Sequence, residues 1–241
     1  MAGHSKWKNI MHKKQRTDAK RASLFTKIGR EISIAIRSGG PDPSTNAKLR
    51  ELIAKAKSHN VPNENIERII KKATGGDAEN YEEIIYEGYG PGGVAVIVAT
   101  ATDNRNRTSG DLRHLFDKYG GNLGTTGCVS YLFTDKGVIF IERKGEIDED
   151  GLMECALEAG AEDFITDDED VFEIRTEPEN LYNVRDALAA SGYEIASAEQ
   201  DKIPSVYVAL SDPDHVKMME TLLEKLDDND DVQEVYHNWE N

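Results

Sequence analysis

The chain has 241 residues, 38% of them hydrophobic and 31% charged, with a formal net charge of −16. This describes a well-solvated folded protein rather than a disordered one, and no apolar run approaches the roughly 18 residues that a membrane-spanning helix needs. The start lacks the apolar centre of a secretory signal, so a cytoplasmic location is expected, with Cys128 and Cys155 reduced and in neither a zinc nor a disulfide framework.

Charge is distributed unevenly. Residues 1–76 carry 17 Lys and Arg against 6 Asp and Glu, whereas the rest of the chain carries 12 against 39. A basic end of that density suits phosphate backbones, although the overall balance is acidic. It is sharpest at the start, where Lys6, Lys8, Lys13, Lys14, Arg16, Lys20 and Arg21 face only Asp18. Residues 1–17 show no apolar period and read as an arm that an anion would order. Trp7, between Lys6 and Lys8, suits stacking on an exposed base and equally suits anchoring the arm against a core.

From Asp18 the spacing of Leu24, Phe25, Ile28, Ile32 and Ala35 predicts a helix capped by Thr17 or Asp18 and stopped by Gly39-Gly40. Its other face carries Lys20, Lys27, Arg30 and Arg37. Ser44 is placed to cap a second helix holding Leu49, Leu52, Ile53 and Ala56, and Asn63 a third holding Ile66, Ile69, Ile70 and Ala73. The short turn His59-Asn60-Val61-Pro62 favours a plain helical hairpin over a helix-turn-helix.

Beyond Gly75-Gly76, strand-like and helical runs alternate. Strands are expected over Tyr81 to Tyr86 and Val94 to Thr100, joined by a tight hairpin at Gly88 to Gly93, because that glycine run leads into a strand and lacks the lysine of a phosphate loop. A helix over Asp103 to Tyr119 follows, then strands over Val129 to Phe133 and Val138 to Ile141 with a turn at Asp135-Lys136-Gly137. Helices over Leu152 to Leu157 and Leu181 to Leu188, with strands near Phe164, Val171 to Ile174 and Tyr193 to Ala196, complete a β-α-β-β-α-β order, the ferredoxin-like signature. Val206 to Leu210, a helix over Val216 to Leu226 and Val232 to Tyr236 are placed to complete the sheet begun at Tyr81. The expected fold is therefore α+β and multidomain: residues 1–78 as basic arm and three-helix domain, 79–133 plus 205–241 as a discontinuous α/β domain, and 134–204 as an inserted ferredoxin-like domain. The acidic runs at 146–150, 167–170 and 227–231 lack the spacing of a calcium loop and read as solvated connections.

Arg105 and Arg107 lie in the first turn of the helix after Asp103, where they oppose the helix dipole. They suit a second phosphate contact, or pairing with Asp103, Asp111 or a sheet-edge carboxylate of this acidic lobe. No catalytic motif is present, the six histidines are scattered, and neither an enzyme, a metal, a cofactor nor a small-molecule substrate is expected.

Several stretches resemble the YebC family: Met1 to Trp7, Asp18 to Arg21 with Phe25-Thr26-Lys27, Gly39 to Pro43, Asn65 to Arg68, Glu87 to Gly93, and Thr102-Asp103-Asn104 with Asn106-Arg107-Thr108. Ala22-Ser23 stands where Gly-Lys is usual, and Cys128 where Ser is common. The resemblance implies one helical and two α/β domains in a cytoplasmic, non-enzymatic regulator of gene expression. Members are commonly described as probable transcriptional regulators that bind DNA, while relatives including a mitochondrial translational activator act at the ribosome. With the basic arm as contact surface, the residues expected to meet nucleic acid are Lys6, Trp7, Lys8, Lys13, Lys14, Arg16, Lys20, Arg21, Lys27, Arg105 and Arg107. DNA and ribosomal RNA both stay open as targets; a third alternative is an adaptor whose acidic sheets dock basic ribosomal or polymerase proteins.

Overall fold

The structure, a computed structural model, describes residue 7, residues 18–75 and residues 80–240; the side chains of residues 18–22 and 58 lie outside that description. In chain order the first elements are α1 (Asp18–Gly39), α2 (Ala47–Ser58), α3 (Asn63–Thr74), β1 (Glu82–Tyr89), β2 (Ala95–Thr102), α4 (Arg105–Lys118) and β3 (Asn122–Leu123). They are followed by β4 (Phe133–Glu142), α5 (Glu149–Glu158), β5 (Asp163–Ile165), β6 (Val171–Thr176), α6 (Leu181–Ala190) and β7 (Ser197–Pro204). The last are β8 (Val208–Ala209), α7 (Pro213–Asp227), β9 (Val232–His237) and β10 (Trp239–Glu240). The fold is α+β, with a helical N-terminal region and antiparallel sheets. Two compact units result, one made of 16–130 with 211–237, the other of 1–15 with 131–210 and 238–241.

In the first unit, α1 to α3 close over Ile28, Ile32, Leu49, Leu52, Val61 and Ile66. The helical spacing of these residues creates the apolar stripes, and each fully buried aliphatic contributes about 1.5–3 kcal/mol. Gly40, at φ 84, ends α1 with its N–H on the Ile36 carbonyl. The cap of α2 is Asn46, not Ser44. Its buried amide donates to the Ala35 and Gly40 carbonyls at 2.8 Å each and accepts from the Leu49 N–H at 3.1 Å. One side chain thus finishes one helix and starts the next, which an exposed serine cannot do. Helix α3 begins at Asn63 itself, after Pro62, without a side-chain cap.

The sheet of this unit has the order β3-β1-β2-β9, antiparallel throughout. The hairpin expected at Gly88 to Gly93 is present, with Gly92 and Gly93 at φ 66 and 81. Strand β2 is buried at positions of both parities, so both its faces are covered. Asn104 caps α4 by accepting the Arg107 N–H at 3.1 Å.

The second unit holds the sheet β5-β6-β4-β7, antiparallel, in the ferredoxin-like order. Ile139, Ile141, Ile174 and Phe172 face α5 and α6, while Val138, Phe140 and Val171 form a smaller cluster with Trp7. Three expectations fail here. The strand expected over Val129 to Phe133 is not formed: Ser130–Leu132 make a single 3-10 turn, and Phe133 is the first residue of β4. Asp135-Lys136-Gly137 does not turn but lies inside β4; Gly137 is required because a Cβ there would stand 2.4 Å from the Thr176 hydroxyl and 2.8 Å from Leu181 Cβ. The last strand is not Tyr193 to Ala196 but the polar edge strand β7, since Tyr193 and Ile195 fill the core from the connection before it. Val208–Ala209 likewise does not extend the sheet begun at Glu82, but pairs in parallel with Trp239–Glu240.

Candidate nucleic-acid interface

A cleft of about 370 Å³ opens between α1 and α3, with Phe25, Ile69 and Tyr81 among its walls and Arg30, Arg68 and Lys72 at its polar positions. A second cleft of about 390 Å³, lined by Arg37, Pro41 and Asn80, shares Ser33 and Ala73 with the first, so the two form one groove. No Asp or Glu lines either cleft among the described residues. Arg68 and Lys72 are four apart on one helix and share a face. Arg68 donates only to the neutral Asn65 Oδ1, at 3.3 Å, and Arg37 to the Asn80 side chain and the Tyr81 carbonyl. Both charges thus remain uncompensated by these contacts.

Arg30 is differently placed. Its guanidinium lies 5.1 Å from the centre of the Tyr81 ring, donates to the Ala101 and Asp230 carbonyls at 3.0 and 2.8 Å, and pairs with Asp231. Asp231 is buried and also accepts from the Thr108 hydroxyl at 2.6 Å and from Arg107 at 2.9 and 3.0 Å. Burial acts to raise the Asp231 pKa, but hydrogen bonds from Thr108, Arg107 and Arg30 outweigh it and hold the carboxyl below the usual range. Arg107 also binds Asp103 at 2.8 Å, and hydrogen bonds to Asp231 and Asp103 raise its own pKa. The pairing alternative therefore accounts for Arg107. Arg105 is exposed at the start of α4, with its carbonyl accepting from the Tyr86 hydroxyl at 3.4 Å.

Other expected contact residues fare unequally. Trp7 is 5% exposed, with its ring centre 5.7 Å from that of Phe140, so it occupies the anchoring place that the sequence left open beside stacking. Lys27 is corrected from the open face of α1: it is buried, and its Nζ donates to the Asp227 carbonyl at 2.6 Å, 3.5 Å from that residue's carboxylate. Lys6, Lys8, Lys13, Lys14 and Arg16 lie outside the described residues, as do the side chains of Lys20 and Arg21. Conversely, Arg68, Lys72 and Tyr81 were not singled out from the sequence as contact residues. The signal available was the i, i+4 pair of cations opposite Ile66 and Ile70.

The glycine-rich segment after α4 is pinned by Glu87, whose buried carboxylate accepts from the N–H groups of Gly127, Val129 and Ser130 at 2.8, 2.9 and 2.8 Å. Burial opposes its ionisation, but these three donors outweigh that and lower its pKa. Among the described residues no helix is long and apolar enough to cross a membrane.

Residues 5–76 match the model of the TACO1/YebC protein N-terminal domain, and residues 81–239 that of the TACO1/YebC second and third domain. A protein of Acetivibrio thermocellus named "Probable transcriptional regulatory protein" is 60% identical over 240 residues, covering 99% of each chain. One of the same name from Ruminiclostridium cellulolyticum is 58% identical over 241 residues, covering all of this chain and 97% of the relative. The crystal structure of a conserved hypothetical protein, Aq1575, from Aquifex aeolicus superposes with a TM-score of 0.82 at 48% identity, covering 93% of this chain and 92% of that one. With both models matched in sequence order across almost the whole length, the chain belongs to the TACO1/YebC family.

Proposed function

We propose that this protein regulates gene expression by binding nucleic acid through its basic helical segment, acting by binding and not by catalysis. The observation that carries this reading is the groove between α1 and α3, where Arg37 and Arg68 meet only neutral acceptors and no carboxylate lines the walls among the described residues. The groove lies in the basic part of a chain of net charge −16, and such a surface suits phosphate. The relatives' names favour transcription and hence DNA. A second reading, a ribosomal RNA target in translation, is favoured by the cleft, whose size and aromatic wall at Tyr81 suit an unstacked base better than the edge of a paired one.

Fluorescence anisotropy of the full chain with duplex DNA, single-stranded RNA and folded ribosomal RNA fragments tests this. Binding is expected to weaken steeply with salt, log K falling by roughly 0.7–0.9 per phosphate contact for each log unit of salt. Preference for duplex selects transcription, and preference for the RNA fragments selects translation. Absence of salt-sensitive binding to all three overturns the proposal.

A further inference from the structure

Edge strands expose unpaired backbone groups, and folded proteins guard them. Strands β3, β5, β8 and β10 are only two or three residues long. Strand β9 pairs with β2 through a bulge at Ala99 and Thr100. Beside β7 the Ser205 N–H donates to the Leu132 carbonyl, so alternation turns the Lys202 N–H outward, and there the Asp201 carboxylate accepts it at 2.8 Å.

Strand β1 has no such guard along its first half. Strand β3 covers it only at Gly88 and Tyr89, and the last bond before the chain leaves is from the Gly124 N–H to the Glu87 carbonyl. Glu87 thus turns its carbonyl away from β2, whereas Gly90, of the other parity, donates to Val94 across the hairpin. By the same alternation Glu83 and Ile85 point their N–H and C=O groups outward. Among the described residues these four groups meet no partner.

The side chains fit an open edge. Tyr86 reaches α4, its hydroxyl on the Arg105 carbonyl, so Ile84 and Tyr86 share the α4 face and Glu83 and Ile85 the opposite one. Ile85 is 49% exposed, the most exposed large apolar side chain of this unit among the described residues. Glu82 and Glu83 are exposed, and neither is in an ion pair among the described residues.

The occupant must supply both donors and acceptors at the spacing of an extended chain. A phosphate backbone only accepts, leaves both carbonyls unmet and is repelled by Glu82 and Glu83. A second copy of β1 has the backbone groups but adds two more carboxylates to the same short ladder. An extended segment bearing Lys or Arg matches the groups and the charge. We propose that the β1 edge from Glu83 to Ile85 receives such a segment of a basic partner protein as an added antiparallel strand in line with β3, an apolar side chain covering Ile85 and a Lys or Arg meeting Glu83. This surface is independent of the nucleic-acid reading above.

The test titrates the full-length protein with the peptide acetyl-Thr-Val-Thr-Lys-Thr-amide, which sets Val opposite Ile85 and Lys opposite Glu83, and follows backbone amides by NMR. Saturable shifts and slowed hydrogen exchange are expected at Glu83 and Ile85. The peptide N-methylated at Val and Lys should bind about tenfold more weakly, the scale of two net backbone hydrogen bonds. Ile85→Pro removes an outward N–H while sparing the ladder to β2, and should weaken the parent peptide. Glu83→Lys should weaken it too, and a peptide with Glu in place of Lys should restore binding to that variant, a rescue that a folding defect cannot produce. Circular dichroism checks that each variant is folded. Absence of saturable shifts at these amides overturns the proposal, and equal binding of the N-methylated peptide overturns it by leaving only charge attraction. A dimer in light scattering that Ile85→Pro dissolves assigns the edge to a second copy and overturns the partner strand. Slowed exchange of the same two amides by a single-stranded oligonucleotide overturns it in favour of nucleic acid.

Discussion

The start of α4 and the rim formed by α3 both present cations from a helix, and they differ in what surrounds them. At α4, Arg107 is caught between Asp103 and the buried Asp231, which also receives Thr108 and Arg30. At α3, Arg68 reaches only an amide oxygen, and none of the described residues lining the cleft is an Asp or Glu. The difference shows that a cation's role follows from the carboxylates within reach, not from its place along a helix. Arg107 ties secondary structures together, whereas Arg68 has no carboxylate contact among the described residues and is the cation that the proposed function assigns to a ligand.

The largest expected effect comes from removing the carboxylate that makes the distinction. Asp231→Ala leaves Arg30 and Arg107 facing an empty site and strips the Thr108 hydroxyl of an acceptor, so urea unfolding should show a loss of about 3–5 kcal/mol, the scale for breaking one side of a buried pair. Nucleic acid still bound by the folded fraction should meet a more cationic α4. A loss below about 1 kcal/mol would mean that the Asp231 cluster does little to hold this unit, on the scale of an exposed pair.

The same carboxylate predicts an acid sensitivity. Because its folded pKa lies below the ordinary value near ~3.9, its stabilisation is complete above that value and drains away as pH falls through the folded pKa. The stability gap between the parent and Asp231→Asn should therefore be constant from pH 8 down to about 5 and shrink below that. A gap that widens on acidification would reverse the sign and contradict the assigned hydrogen bonds.

A somewhat smaller loss is expected at Trp7, which sharpens the comparison from the other unit. Trp7→Ala should cost about 3 kcal/mol by opening a space beside Phe140 and Val138. Affinity of the folded protein for single-stranded nucleic acid should stay within twofold. Lost affinity at unchanged stability would instead place the indole on a base.

Much of this was legible in the sequence. The helical stripes around Ile28, Leu49 and Ile66 and the β-α-β-β-α-β order from Val138 follow directly from periodicity. What escaped has a common cause, namely that a distant partner gives a residue its role. Gly137 reads locally as a turn, yet it is demanded by the approach of Thr176 and Leu181. Strand β7 escaped because it is a polar edge strand, placed against β4 by its backbone ladder and the Lys202–Asp135 ion pair, with Ala198 and Ile203 as its apolar contacts. Lys27 reads as surface, yet it is buried and meets Asp227, 200 residues further along the chain. The groove was hidden for the same reason, since Tyr81 stands far along the chain from Phe25 and meets α1 through Arg30 and Arg37.

The central claim is that nucleic acid engages the groove cations and not the tied arginine of α4. The most direct measurement is the salt dependence of single-stranded oligonucleotide affinity for Arg68→Ala/Lys72→Ala set beside Arg107→Ala. Removing two phosphate contacts should reduce the slope of log K against log salt by roughly 1.4, at about 0.7 per contact on a single strand, while Arg107→Ala should leave it unchanged. The reverse pattern, a parental slope in Arg68→Ala/Lys72→Ala and a reduced one in Arg107→Ala, would contradict the account and move the interface to the start of α4.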